Sequence, residues 1–105
     1  MNYKLVLYVP QNFLETVKQS LFLAGAGRQG NYEECCWQVL GTGQFKPCEG
    51  SQPFIGAKNQ LEKVPEWRVE MLVDASRAKQ VQQALIEAHP YEEPAYEFLA
   101  CVELV

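Results

Sequence analysis

Apolar and polar side chains alternate with a two-residue period in four stretches of the chain, the pattern of strands with one buried face. Two further stretches carry apolar residues three and four positions apart and therefore predict amphipathic helices. The predicted elements are a strand at 3–9, a helix at 13–26, strands at 34–41 and 66–73, a helix that begins after Asp74 or Ser76 and ends at His89, and a strand at 96–102.

The resulting order, βαββαβ, is that of the ferredoxin-like fold, an α+β sandwich in which two helices cover one face of a four-stranded antiparallel sheet. The chain has 105 residues, the length of one domain, so residues 1–105 are predicted to form a single ferredoxin-like domain. This topology brings three connections to the same end of the sheet, namely residues 10–12, 42–64 and 89–94. We therefore expect these segments to converge.

Local signals refine the ends of these elements. Asn12 followed by Glu15 is the pattern of a helix N-cap with its capping-box partner. Glycines and prolines are too dense between residues 42 and 64 for a long regular element, which predicts a long loop there. The two glycines Gly41 and Gly43 are interpreted as a strand end that enters this loop.

Composition and charge disfavour two classes of partner. The net charge is -4, and the 9 basic residues form no cluster that could follow a phosphate backbone, which disfavours nucleic acid. No apolar run approaches the length needed to span a bilayer, and the first residues lack the pattern of an export signal. We therefore expect a cytoplasmic protein without a membrane partner.

The cysteines give no sign of a structural metal site. Cys35, Cys36, Cys48 and Cys101 include no CxxC spacing, which disfavours a zinc site built from thiolates. Adjacent residues of an extended strand point to opposite sides, so Cys35 and Cys36 are poorly placed to bond to each other. Reduced thiols are expected.

The most distinctive stretch is HPYEEPAYE, residues 89–97, which holds the only histidine of the chain. Prolines follow His89 and Glu93, and each removes a backbone donor and biases the residue before it toward extended backbone. The segment is therefore predicted to be a stiff loop. It has two open interpretations, a binding site held in position by its scaffold and an ordinary rigid corner with solvated carboxylates.

A binding site here would combine this segment with the long loop. The candidate ligands of a divalent metal ion are His89, Glu92 and Glu93, joined from the loop by Cys48 or Glu49. One histidine with scattered carboxylates is a weak metal signal, and the identity of any cofactor stays unknown. The candidate walls for a small ligand are Phe45, Tyr91 and Tyr96.

The face of the sheet away from the helices also carries apolar residues. This open face is predicted to present Val6, Tyr8, Trp37, Val39, Leu72 and Leu99. A contiguous apolar patch favours burial against a second copy of the chain, whereas single exposed apolar residues are ordinary. We expect a homo-oligomer, a dimer or a trimer.

Three motifs in order, NYEECCW, GTGQFKPCEGSQPFIG and HPYEEPAYE, resemble the PII/CutA-like domain found within and apart from proteins of the Nif-three-like (NGG-one-interacting-factor-like) family. The resemblance runs from about Tyr3 to Val102, and the chain would be a stand-alone form of that domain. It implies ferredoxin-like subunits, which in PII and CutA proteins usually form trimers. In PII-like proteins the loop after the second strand reads a partner, so the resemblance implies a possible protein partner for residues 42–64.

The enzymatic label of the family is not carried over. Full-length members hold a dinuclear metal centre made mainly of histidines and carboxylates, whereas this chain has His89 alone. The leading hypothesis is a non-enzymatic, oligomeric regulatory or ligand-binding module that binds a metal ion, a small ligand or a protein partner through residues 89–94 and the long loop. The alternatives are a metal-dependent hydrolase whose site is shared between subunits and a purely structural assembly domain.

Overall fold

Four antiparallel strands and two α-helices build the structure, a computed structural model that describes residues 1–104. Short 3-10 turns at Gln11–Phe13 and Ala75–Arg77 lead into the helices. The sheet order is β2-β3-β1-β4, and every neighbouring pair is antiparallel. The predicted ferredoxin-like fold is therefore confirmed. The elements are β1 (Asn2–Pro10), α1 (Leu14–Leu23), β2 (Trp37–Phe45), β3 (Glu62–Asp74), α2 (Ala78–Ala88) and β4 (Tyr96–Ala100).

The hydrophobic core lies between the two helices and the face of the sheet that they cover. The two central strands supply it with alternate residues, as their two-residue period predicts. The helices contribute side chains three and four positions apart, so one stripe of each helix is buried. The fully buried residues of this core are Leu5, Leu7, Val9, Val17, Leu21, Val69, Val73, Val81 and Leu85.

Helix α1 ends three residues earlier than the predicted Ala26. Gly25 adopts a φ of 111°, and its N–H donates to the Phe22 carbonyl. The N–H of Ala26 donates to the Leu21 carbonyl at 3.0 Å, which completes a Schellman motif. Ala26 is buried after the helix rather than within it. Ala26 therefore continues the apolar spacing of the helix and is buried, although it lies outside the helix.

The two helix starts turned out differently. The capping box predicted from Asn12 and Glu15 is wrong, because neither the 3-10 turn nor α1 has a side-chain cap. Pro10 instead places extended backbone directly before the turn. Of the two predicted start residues, Asp74 and Ser76, it is Asp74 that caps the 3-10 turn leading into α2, since its carboxylate accepts a hydrogen bond from the Ser76 N–H at 2.9 Å.

Strands β2 and β3 are paired over a longer stretch than the sequence predicts. β2 begins at Trp37 rather than at residue 34, because Glu34 has a positive φ of 57°, which strand pairing does not accommodate. The pairing continues to Phe45 and Glu62, so the long loop predicted at 42–64 is reduced to residues 46–61. Pro65 lies in β3 beyond the end of β1, where one edge of the strand needs no ladder partner.

Strand β4 ends at Ala100 rather than at residue 102. Its last partner is Tyr3, next to the first residue of β1, and the Cys101 N–H then donates to the Asn2 carbonyl. The chain therefore leaves the sheet where the neighbouring strand begins. No helix in the described part of the chain is long and apolar enough to cross a bilayer.

The open face of the sheet is only partly apolar. Trp37 and Leu99 are 59% and 48% exposed, in agreement with the prediction. Val6 was predicted to be exposed with them, but it is only 4% exposed. It lies on the central strand β1 between Glu70 and Glu97 of the flanking strands, whose side chains share its face. The exposed apolar residues therefore lie toward the two edges of the sheet.

Helix α1 offers a matched pair for measuring the contribution of the core. Leu21 is fully buried and Leu23, two residues later, is 87% exposed. Leu21→Ala is expected to lower the free energy of unfolding by about 2–5 kcal/mol, because it leaves a cavity. Leu23→Ala should change it by less than about 0.5 kcal/mol. Urea unfolding of both variants measures the two values, and equal losses would contradict this assignment of the core.

Candidate functional site

The three predicted connections converge at one end of the sheet. The 46–61 loop touches the 89–94 segment through the Gln52 N–H, which donates to Glu92 Oε1 at 3.1 Å. It touches Phe13, the residue directly after the 10–12 connection, through the ring of Phe54, and the two ring centroids lie 5.5 Å apart. The expectation of convergence is therefore confirmed.

His89 fastens the 89–94 segment to the centre of the sheet. Its side chain is 6% exposed, and its Nε2 lies 2.6 Å from the carbonyl oxygen of Tyr8 on β1. The Tyr91 N–H donates to His89 Nδ1 at 3.1 Å. Since a backbone N–H can only donate, Nδ1 must accept, and the ring proton lies on Nε2, which donates to Tyr8. The ring is therefore neutral, with both nitrogens engaged.

The surroundings of His89 disfavour its charged form. Burial lowers the pKa of His89 below the ordinary value of 6.5, and it outweighs the opposing effects of the Tyr8 carbonyl and the Glu66 carboxylate. A proton added at Nδ1 would also displace the hydrogen bond from Tyr91. The same group thus holds the segment in place and resists protonation.

Tyr91 projects from this anchor toward β3. Its hydroxyl donates to Glu66 Oε2 at 3.1 Å, and its ring lies 4.9 Å from the ring of His89. Burial raises the pKa of Tyr91 to about 12, with further contributions from the charge of Glu66 and from the hydrogen bond to it. The phenol therefore stays protonated and acts as a hydrogen-bond donor.

Gly43 makes room for the carboxylate that receives this hydrogen bond. Glu66 pairs with Gly41 across the β2–β3 ladder, so Gly41, Gly43 and Glu66 share one face of the two-stranded ribbon. The Glu66 side chain lies over Gly43, where a Cβ would overlap its carboxylate. The interpretation of this glycine pair as a strand end entering a turn is wrong, since both glycines lie within β2.

A cavity of about 630 Å³ lies between the 46–61 loop and the 89–94 segment. Tyr91 and Glu66 form part of its lining, and the loop closes the opposite side. Its walls alternate aromatic rings with carboxylates, the mixture of apolar surface and few polar groups typical of ligand pockets. The residues that define it are Phe45, Phe54, Glu66, Tyr91, Glu92 and Glu93.

Six of the sequence-predicted site residues line this cavity, and two do not. Those in the lining are Phe45, Cys48, Tyr91, Glu92 and Glu93, together with Glu49 from the predicted metal set. His89 lies behind Tyr91. Tyr96 packs against the core from β4, and its hydroxyl accepts a hydrogen bond from Gln82 at 2.8 Å. The structure therefore brings together the loop and segment residues but leaves these two outside.

The predicted metal site stays a prediction. No group of three or more His, Cys, Asp or Glu side chains within residues 1–104 is arranged to hold a metal ion. Ligation by His89 would require one of its two hydrogen bonds to break. The four cysteines are free thiols, and Cys48 is exposed at the cavity.

Two contributors to the site were missed from the sequence. The sequence placed Glu66 only as the first residue of the strand at 66–73, and Gly43 at a strand end entering the long loop. The signal that could have identified them is the pairing of a glycine-x-glycine strand with a facing strand that carries a long acidic side chain. Register is needed to see it, and register follows from the whole ribbon rather than from either strand alone.

The sequence of this chain is similar to those of known proteins. No protein-family model matches the chain. The GTP cyclohydrolase 1 type 2 homolog of Halalkalibacterium halodurans is 47% identical over 95 residues, which cover 90% of this chain and 26% of that protein. The homolog of the same name from Bacillus subtilis is 46% identical over 94 residues, 90% of this chain and 25% of that protein. The chain thus spans about a quarter of the length of these relatives.

Solved structures also resemble this one. A Bacillus cereus protein described as related to NIF3 superposes with a TM-score of 0.80 at 42% identity, over 93% of this chain and 25% of that one. The periplasmic divalent cation tolerance protein CutA of Archaeoglobus fulgidus superposes with a TM-score of 0.71 over 100% of this chain and 88% of that one. Its identity is only 12%, so it shows the shared fold alone.

Stability should fall as the pH drops, because of His89. Its pKa is lower in the folded chain than the ordinary 6.5, so the unfolded chain binds a proton first. The stabilisation is complete above pH 6.5 and is lost as the pH falls from there toward the folded pKa. We expect the free energy of unfolding to decrease between about pH 7.5 and about pH 5.5 in the natural chain, and to decrease less in His89→Gln.

Urea unfolding at the two pH values measures this difference. Equal pH slopes for the two proteins would contradict the role assigned to His89. If His89→Gln does not fold, an NMR pH titration of the natural chain replaces it, since the Tyr91 amide signal should move as its acceptor is protonated. A Tyr91 amide that does not respond while His89 titrates would contradict the role equally.

The Tyr91–Glu66 hydrogen bond can be tested through the ionisation of Tyr91. Glu66→Gln removes the negative charge beside the phenol, so the pKa of Tyr91 should fall from about 12. Gly43→Ala should lower it as well, because the new methyl group displaces Glu66. Glu70→Gln, on the same strand and the same face, is the control. NMR of the tyrosine ring carbons against pH gives the value, and an unchanged Tyr91 in the first two variants would refute the contact.

Proposed function

The chain belongs to the Nif-three-like family as a domain with the PII/CutA-like fold, and from this premise we propose that it is a non-enzymatic, oligomeric binding module. Its ligand site is the cavity between the 46–61 loop and the 89–94 segment. The observation that carries the proposal is the fixed position of Tyr91 in the lining of this cavity. Three neighbours hold it there before any ligand arrives.

Pre-organisation is what distinguishes this cavity from a surface depression. The backbone of Tyr91 is bonded to His89, its hydroxyl to Glu66, and its ring lies 6.1 Å from that of Phe45. Ordering such groups on binding costs free energy, so a wall that is already ordered favours affinity. The cavity is also within the size range of small-molecule sites.

The state of His89 supports binding rather than catalysis. It is the only histidine of the chain, and both of its nitrogens are engaged in hydrogen bonds within the fold. A general base must have a lone pair directed at its substrate. A role in holding the segment fits these contacts, whereas proton transfer would first require the anchor to open.

The loop also connects the proposed site to a partner. Residues 46–61 form the outer wall of the cavity, so a bound ligand would change the surface that this loop presents. A second copy of the chain is proposed to cover the open face of the sheet, on the basis of the exposed side chains of Trp37, Val39 and Leu99. The module would then report the presence of its ligand through the loop.

Filling the cavity tests the proposal directly. Ala95 is exposed and lines the cavity, whereas Ala100 is equally exposed at the end of β4. A chemically mixed library of small anionic, neutral and cationic compounds is screened by NMR against isotope-labelled full chain. Compounds that bind should shift amide signals of residues 44–55 and 91–95. Ala95→Trp should abolish these shifts, and Ala100→Trp should leave them unchanged.

The outcomes separate clearly. A library in which no compound shifts the cavity amides contradicts the proposed site. Shifts that survive Ala95→Trp but disappear in Ala100→Trp would place the binding site elsewhere. Addition of divalent metal chlorides in a separate titration tests the metal interpretation, since Glu92, Glu93 and Cys48 would then be the first signals to respond.

A further inference from the structure

The walls of the cavity carry a pronounced excess of negative charge. Four carboxylates, those of Glu49, Glu66, Glu92 and Glu93, line it, against one basic side chain, that of Lys46. Like charges brought together around one space repel each other, and a low-dielectric wall strengthens the effect. A cation in the cavity would be attracted by this excess of negative charge.

The contacts of these carboxylates leave their charge uncompensated. Glu66 accepts from the Tyr91 hydroxyl, Glu92 from a backbone N–H and Glu49 from the side-chain amide of Asn59, which are all neutral donors. The ion pairs found in residues 1–104 involve Glu15, Glu70 and Glu103 and none of the four. Three of the four carboxylates are therefore hydrogen-bonded, and none of the four has an ion-pair partner within residues 1–104.

Aromatic rings supply a second, independent attraction for a cation. Phe45 and Tyr91 are tilted against each other at 55°, and Phe54 faces the same cavity from the loop. The face of such a ring attracts an ammonium group, and its carbon surface also accepts an alkyl chain. Pro53 and Ile55 extend the apolar lining. The cavity thus offers contacts both to a charge and to an apolar body.

Its dimensions separate an organic cation from a metal ion. A metal ion gathers several donors within a short radius. Here no three candidate donors in the described residues form such a group, and about 630 Å³ is far more space than one ion occupies. The carboxylates are instead distributed around apolar walls, which suits a charged group joined to hydrocarbon.

We infer that the cavity takes an organic cation, an amine or alkylated ammonium group with an apolar body, whose charge meets Glu92 and Glu93 while its hydrocarbon part packs on Phe45, Phe54 and Tyr91. This inference rests on the proposed function and specifies the chemistry of the ligand. It makes Glu92 and Glu93 the residues that select for charge.

A series of three compounds with one chain length isolates the charge. Hexylammonium, hexanol and hexanoate are titrated separately into the isotope-labelled full chain at neutral pH. Hexylammonium should shift the amide signals of residues 44–55 and 91–95 with an affinity about tenfold or more above that of hexanoate. Added salt should weaken the binding of hexylammonium, since exposed charges are screened, and should not weaken that of hexanol.

Two double variants with equal net charge complete the test. Glu92→Gln with Glu93→Gln should weaken hexylammonium binding by about tenfold and leave hexanol binding unchanged. Glu33→Gln with Glu97→Gln removes two carboxylates that do not line the cavity and should have little effect on either compound. Equal losses in the two double variants would show a general charge effect and overturn the inference.

The remaining outcomes distinguish the ligand class from the site. Hexanoate that binds at the same amides as tightly as hexylammonium overturns the cationic ligand and leaves the proposed binding site standing. Magnesium or calcium chloride that displaces hexylammonium through Glu92 and Glu93 would assign the charge to a metal ion instead. If no compound of the series shifts the cavity amides, the inference is overturned, and the mixed library with Ala95→Trp decides the proposed site separately.

Discussion

The neutral ring of His89, hydrogen-bonded at both nitrogens, connects the irregular 89–94 segment to β1 at the centre of the sheet. The carbonyl of Tyr8 belongs to β1, the central strand of the sheet, and the amide of Tyr91 belongs to a segment without ladder hydrogen bonds. Prolines on both sides of that segment deny it two backbone donors. The imidazole supplies two hydrogen bonds where ladder bonds are missing, and through the Tyr91 N–H it positions Tyr91.

The next contacts extend this order outward. Tyr91 donates a hydrogen bond to Glu66 on β3, and Gly43 on β2 leaves the space that the Glu66 side chain occupies. The chain of contacts therefore passes through three strands and one loop. It explains why a group of exposed carboxylates and aromatic rings can be held around an open cavity, whereas side chains on a mobile loop would collapse onto each other or disperse into solvent.

Much of the fold was accessible from the hydrophobic periods, because burial on one face of the sheet imposes them. Val69, Met71 and Val73 follow this rule, and so do the stripes of both helices. What the periods miss depends on neighbours in space. The alternation places Val6 on the open face of the sheet, but its cross-strand neighbours bury it. Pro65 is tolerated in β3 because β1 has already ended. Most cavity residues could be predicted from composition and topology. The contributions of Glu66 and Gly43 could be identified only from the register of β2 and β3.

The two sides of the cavity are held very differently. The side with Tyr91 is fixed to the sheet at several points, whereas in residues 1–104 the 46–61 loop reaches the 89–94 segment through one side-chain hydrogen bond, between Gln52 and Glu92. A second contact, of Phe54 on Phe13, ties the loop to the first 3-10 turn, and surface loops of this kind move within nanoseconds to microseconds, far faster than local unfolding. In the proposed function, exchange of a bound molecule would depend on the loop, while the sheet-bound side keeps its shape. A module of this kind would follow changes in ligand concentration rapidly rather than retain a ligand for long.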